Sequence, residues 1–159
     1  MQAKTGDERF VSGEVLMDLL KATVGRGASF SFRAKGSSMS PFIRDDDMIT
    51  LSPLSPSSAK IGDVLAFTCP LTGKLIIHRM VGRKGDLYSI RADNASGPNE
   101  IVPETNILGR VTKVERKGKK VFFGLGPERY MIGMFSRSGF LQPLLRLARY
   151  VRSLGKSAG

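Results

Sequence analysis

From Ser29 to Gly124 the sequence alternates short apolar segments with turns rich in glycine, proline and serine. That punctuation argues against a helical bundle over this stretch and asks for strands. "SFSFRAK" (29–35) sets Phe30, Phe32 and Ala34 against polar neighbours, the two-residue period of a half-buried strand. "DMITLSP" (47–53) is read as a second strand, and "PLSPSSAKIGD" (53–63) as a loop. "DVLAFTC" (63–69) and "KLIIHRMVG" (74–82) are apolar runs joined across Thr72-Gly73, a hairpin signal. "DLYSIRA" (86–92) follows a turn at Lys84-Gly85, whereas "ADNASGPNEIVPET" (92–105) has no periodicity and is expected to be a loop. "ILGRVTKVERKG" (107–118) and "KKVFFG" (119–124) predict a last hairpin across Lys117-Gly118. About seven strands result, and with them a mostly β fold, either a small barrel or a pair of coiled sheets.

Helices are expected only at the two ends. In "SGEVLMDLLKATVGRG" (12–27), Val15, Leu16, Leu19, Leu20 and Val24 recur at helical spacing, Ser12 is the expected N-cap, and Gly25 and Gly27 stop the run. The spacing predicts an amphipathic helix over 13–25. In "GFLQPLLRLARYVRSLGKSAG" (139–159), Leu141, Leu144, Leu145, Ala148 and Val151 share one stripe while Arg146, Arg149 and Arg152 follow another. This predicts a basic amphipathic helix over 140–154 that docks on its own domain, on a partner or on an anionic membrane surface. Charge divides the chain at the same place. Residues 1–109 carry 13 basic and 12 acidic side chains, residues 110–159 carry 12 and 2. The expected organisation is one domain over 10–125, holding the N-terminal helix and the strands, with a basic tail over 126–159.

Composition excludes several chemistries. The single cysteine, Cys69, leaves no internal disulfide and no cysteine-based zinc site, and a lone histidine, His78, argues further against a metal. No cofactor is expected. "MQAKTGDERFVSG" (1–13) has no apolar stretch of the signal-peptide kind, and no apolar run reaches the ~18 residues of a membrane span. The expected location is therefore the cytoplasm, with peripheral membrane contact through 140–154 as an addition.

One turn is crowded with hydroxyls: "KGSSMSP" (35–41), between the first two strands. A serine attacks a carbonyl only when a base takes its proton. His78 has the right ordinary pKa for that work near neutral pH. Alternation within "LIIHRMV" puts Ile76 and His78 on one face and Ile77 and Arg79 on the other. A desolvated Lys74 or Lys35 is the alternative base, and composition leaves the choice open.

"GSSMSPFIRDDDMI" (36–49) resembles the Ser-Met-x-Pro segment of the superfamily that joins signal peptidase I to LexA-type serine peptidases. "IGDVLAF" (61–67), "IIHRMVG" (76–82), "ADN" (92–94) and "ILGRV" (107–111) resemble its later blocks, in the same order, so the resemblance covers about residues 29–118. It implies that Ser38, directly before Met39, is the nucleophile. It implies that His78 stands where many relatives carry a lysine base, as in the branch that resembles endoplasmic-reticulum and archaeal signal peptidases. Asp93 matches the acidic residue that the resemblance gives the task of orienting the histidine. The oxyanion donors are expected from backbone around Ser38 and Gly36, with Met39 as a wall beneath the site and a peptide or protein substrate bound as an added strand.

The sequence departs from the family pattern where Asp46 stands for a usual glycine and where Ala92 replaces the glycine of the Gly-Asp-Asn box. Neither the membrane anchor of signal peptidases nor the DNA-binding domain of LexA-like repressors is read in it, and the expectation is a resemblance to compact, anchorless members. Three functions follow as alternatives: a serine endopeptidase with a Ser-His(-Asp) arrangement, a non-catalytic peptide- or protein-binding module on the same fold, and a basic nucleic-acid-binding β-barrel. The last has little support, because only Phe122, Phe123 and Tyr130 lie among the basic residues as stacking surfaces.

Overall fold

The protein is described here by a computed structural model that covers residues 13–157, the side chains of 56 and 154–157 excepted. The expected cap at Ser12 and the first residues of the expected 10–125 domain lie outside the described residues.

Helix α1 (Gly13–Gly25) comes first. Seven strands follow, namely β1 (Phe30–Arg33), β2 (Met48–Ser52), β3 (Val64–Thr68), β4 (Leu75–Lys84), β5 (Leu87–Arg91), β6 (Glu100–Pro103) and β7 (Ile107–Arg116). A short β8 (Lys119–Lys120) and the helices α2 (Arg129–Arg137) and α3 (Leu141–Ser157) complete the chain. The fold is mostly β, with helices at both ends. Every strand pairing is antiparallel, in the order β1-β2-β7-β3-β4-β5-β6, with β8 on β7. Of the two arrangements expected, the closed barrel does not form: β1 and β6 are the edges of an open sheet. No helix among the described residues is long and apolar enough to cross a membrane.

The central strand β3 explains how two cores coexist. Val64 and Ala66 face a cluster with Leu20, Phe32, Ile49 and Val111, while Leu65 and Phe67 face a second cluster with Met80, Tyr88 and Ile90. A strand buried on both faces reads as a continuous apolar run, as "VLAF" does. Helix α1 caps the first cluster with Leu20 and Val24, and Leu16 packs against it, whereas Val15 and Leu19 are exposed. Met17 is buried as well, so the buried stripe is turned from the one that spacing predicts. Each fully buried leucine or valine contributes about 1.5–3 kcal/mol.

Two strand segments differ from expectation. The aperiodic stretch 92–105 contains β6, which pairs with β5 from Leu87↔Pro103 to Ile90↔Glu100. With only Val102 buried, it is too short for a period to show, and the β5 edge organises it. In "KKVFFG" the ladder ends at Lys120, leaving Phe122 and Phe123 exposed.

Gly62 fixes how α2 sits on the sheet. Its φ is +95°, and a Cβ there would lie 2.2 Å from the Arg129 carbonyl oxygen in the first turn of α2. Only glycine allows both the backbone conformation and the approach. Next to it, buried Asp63 accepts from Arg110 at 3.2 Å, from Arg129 at 3.0 Å and from the Lys60 amide at 2.9 Å. The Gly-Asp pair that opens β3 is thus a docking point for β7 and α2.

Candidate active site

Ser38 lies in the turn between β1 and β2. Gly36 enters it at φ +91°, and its amide donates to Asp45 Oδ1 at 2.8 Å. The Met39 carbonyl accepts from the Phe42 and Ile43 amides, so one helical turn follows the serine. Met39 and Ile43 are buried in the first core, which leaves Ser38 exposed on the rim. Among the described residues the Ser38 and Met39 amides have no hydrogen-bond acceptor, whereas the Gly36 amide is taken. Of the backbone around Ser38 and Gly36, the free donor is therefore at Ser38.

The "ADN" box holds this turn from the far side. Asn94 donates its amide to the Ser38 carbonyl at 2.8 Å and its side-chain nitrogen to the Ser37 carbonyl at 3.2 Å. Asp93 makes its side-chain hydrogen bonds with Arg79, whose Nε and Nη2 donate to the carboxylate at 2.7–3.1 Å. Both side chains are completely buried. Arg79 Nη1 also donates to the Gly62 and Gly124 carbonyls, and its guanidinium lies 5.2 Å from the centre of the Phe42 ring. Burial, the largest influence, holds the Asp93 carboxyl above its ordinary value, against the Arg79 charge and hydrogen bonds, which pull it down. Bidentate pairing with full satisfaction is what a buried ion pair requires. Among the described residues no buried side-chain polar atom lacks a partner.

His78 sits in the first half of β4, opposite Leu65 of β3. Its Nδ1 lies 2.6 Å from Glu100 Oε1, and the imidazole meets the Phe67 ring edge-on at 6.1 Å between centroids. The carboxylate at the histidine is therefore that of Glu100, the first residue of β6, which sequence reasoning did not single out. A carboxylate accepts, so Nδ1 carries the proton and Nε2 is left as the basic nitrogen.

Ser38, Met39 and His78 line one cleft of about 1000 Å³, bounded by α1, the end of β1 and the start of β4. No hydrogen bond joins Ser38 to His78. Lys35 and Lys74 also line the cleft, and Lys35 Nζ is 3.4 Å from Asp46 Oδ1. The cleft borders two strand edges. Among the described residues β1 pairs with β2, and the Leu75–His78 half of β4 pairs with β3, while β5 joins β4 from Arg79 onward. Cys69 is buried just beyond β3. No three His, Cys, Asp or Glu side chains come together as a metal site among the described residues.

The departures from the family pattern also find their places. Asp46 takes φ +68°, the conformation a glycine adopts without cost, and pairs with Arg33 and Lys35. Ala92, which replaces a glycine, is buried and needs no such conformation. No curated protein matches the sequence. The sequence profile of the peptidase S24-like family matches residues 2–112, the stretch that carries the serine turn, β3, β4 and the Ala-Asp-Asn box. With well over half of its length under that profile, the chain belongs to the peptidase S24-like family.

Proposed function

We propose that the protein is a serine endopeptidase in which Ser38 is the nucleophile, His78 the general base and Glu100 the group that orients the imidazole. The observation that carries this reading is the 2.6 Å contact between His78 Nδ1 and Glu100, which turns Nε2 into a base within the cleft that Ser38 lines. An extended peptide enters the cleft along the edges of β1 and β4 that border it and adds as a strand. Nε2 takes the Ser38 proton as Oγ attacks the scissile carbonyl, and the Ser38 amide donates to the oxyanion. The imidazolium, held by Glu100, returns its proton to the departing amine, and water then releases the acyl group by the same exchange in reverse. Asp93 and Asn94 act at one remove, by fixing Arg79 and the serine turn. With histidine in this place the chemistry follows the Ser-His branch rather than the lysine one.

A peptide-library digest tests this. Wild-type protein should release fragments, and Ser38→Ala and His78→Ala should each lose cleavage, His78→Ala by about 10²–10⁴-fold. Unchanged digestion by Ser38→Ala would end the proposal. The second reading, a peptide-binding module without catalysis, is favoured by the lack of a hydrogen bond between Ser38 and His78. It predicts that wild type and Ser38→Ala retain the same peptides uncut.

A further inference from the structure

Helix α3 has far more apolar surface than it buries. Its 17 residues span about 25 Å. Leu141 in its first turn is buried, but Leu147, Tyr150 and Val151 are 59%, 62% and 57% exposed. A helix of this length has marginal stability in water unless an apolar face is covered. At about 100° per residue, Tyr150, Leu147, Val151 and Leu144 form one continuous arc. Arg146 borders the arc beyond Tyr150, and Arg152 borders it beyond Ala148. The exposed face continues into α2 through Met131 and Met134 and into the connection through Phe140. Between the two helices an apolar cleft of about 420 Å³ reaches back to Ser40, Pro41 and Phe42, next to the turn that carries Ser38.

Charge identifies what covers this face. From Arg129 to Gly159 the sequence has six basic residues and no acidic one. A protein interface would be expected to mix both signs at its rim, whereas an apolar arc of α3 bordered by Arg146 and Arg152 complements a surface of negative charge. We propose that the α2–α3 hairpin is a membrane-docking face. It lies in the plane of an anionic bilayer, with Leu144, Leu147 and Val151 in the acyl boundary and Arg146 and Arg152 among the headgroups. Gln142 Nε2, which donates to the Asp93 carbonyl, ties the first turn of α3 to the loop that holds the serine turn. Docking would thus seat the Ser38 side of the molecule next to the bilayer.

The test is flotation of the full-length protein with phosphatidylcholine vesicles, with and without phosphatidylglycerol as about a third of the lipid. The protein should float with the anionic vesicles, at least about ten-fold more weakly with the neutral ones, and less as salt rises. Arg146→Ser and Arg152→Ser should each weaken binding by about five-fold. Leu147→Ser with Val151→Ser should abolish it. All four side chains are exposed, so the variants should melt with the wild type, and the Ser38→Ala protein should float as wild type does whatever its chemistry. Failure of the native-melting wild type to float with anionic vesicles overturns the proposal, as does equal affinity for neutral ones. Self-association that the Leu147→Ser/Val151→Ser protein loses, without flotation by either, would reassign the face to a contact between copies of the chain.

Discussion

His78 and Arg79 are neighbours on β4 with opposite environments. The strand's alternation sends the imidazole to the cleft, where it meets Glu100, and the guanidinium inward, where it meets Asp93. Under the proposed mechanism the two acidic residues have separable roles, and substitution should separate them. Glu100→Gln puts an amide opposite Nδ1, where it can donate and favour the wrong tautomer. It should lower kcat by on the order of 10²–10⁴-fold, with little change in KM or melting temperature. Asp93→Asn leaves the Arg79 charge buried without its counterion and should cost about 3–5 kcal/mol of stability, seen as a lower urea midpoint. If Asp93→Asn instead spared stability and removed activity alone, the orienting role would belong to Asp93. Residue type, neighbours and order mark Ser38 and His78 as candidates in the sequence, and both line one cleft. The contact of Glu100 with His78 was not legible, because Glu100 lies in an aperiodic stretch, and only the β5–β6 register brings it there. The pairing of Asp93 with Arg79 was hidden for a similar reason, since a matched motif names a residue without naming its partner.

Elements were legible where their own periodicity decides them. Helix α1 spans the predicted 13–25, and the turns at Thr72-Gly73 and Lys117-Gly118 join paired strands. What spacing could not supply is how elements meet. Helix α2 sets Gly133 against a turn some 70 residues earlier and packs Ile132 with Phe42 and Leu141, and a glycine within that turn makes the approach possible. At Gly133 a Cβ would in turn lie 2.8 Å from the Gly62 nitrogen, so two glycines face each other across the contact. Gly62→Ala should strain the φ +95° backbone and push α2 off the sheet, which also removes Arg129 from Asp63. The expected loss is about 2–5 kcal/mol in urea unfolding. A compensating drop in α-helical signal should accompany it if α2 undocks, while an unaltered urea midpoint would mean that the turn relaxes at no cost.

At the scale of the whole molecule, arginine–carboxylate clamps tie distant segments of a small, strongly basic protein. Asp47, beside the serine turn, accepts from Arg116 at the end of β7 at 2.7 and 2.9 Å, and from the Arg44 amide at 2.8 Å. Burial alone would raise its carboxyl, but the Arg116 and Arg44 bonds and charges outweigh burial and hold it below its ordinary 3.8. Glu128 behaves alike. Burial would raise it, yet its own amide and those of Gly124 and Gly126 hold it below its ordinary 4.5. A carboxyl with a lowered folded pKa contributes stability that is fully present above the unfolded value and lost as pH falls through the folded one. The acid side of the stability profile should therefore begin to fall near pH 4.5 and steepen below 3.8. Asp47→Asn isolates one clamp. Near neutral pH the variant should be less stable than wild type, because Arg116 loses its ionised partner. As pH falls from 3.8 through the lowered folded value, the wild-type Asp47 becomes neutral too, and the two urea midpoints should converge. A gap that stayed constant from about pH 7 to about pH 2.5 would show that Asp47 holds the turn by hydrogen bonding alone, independent of its charge.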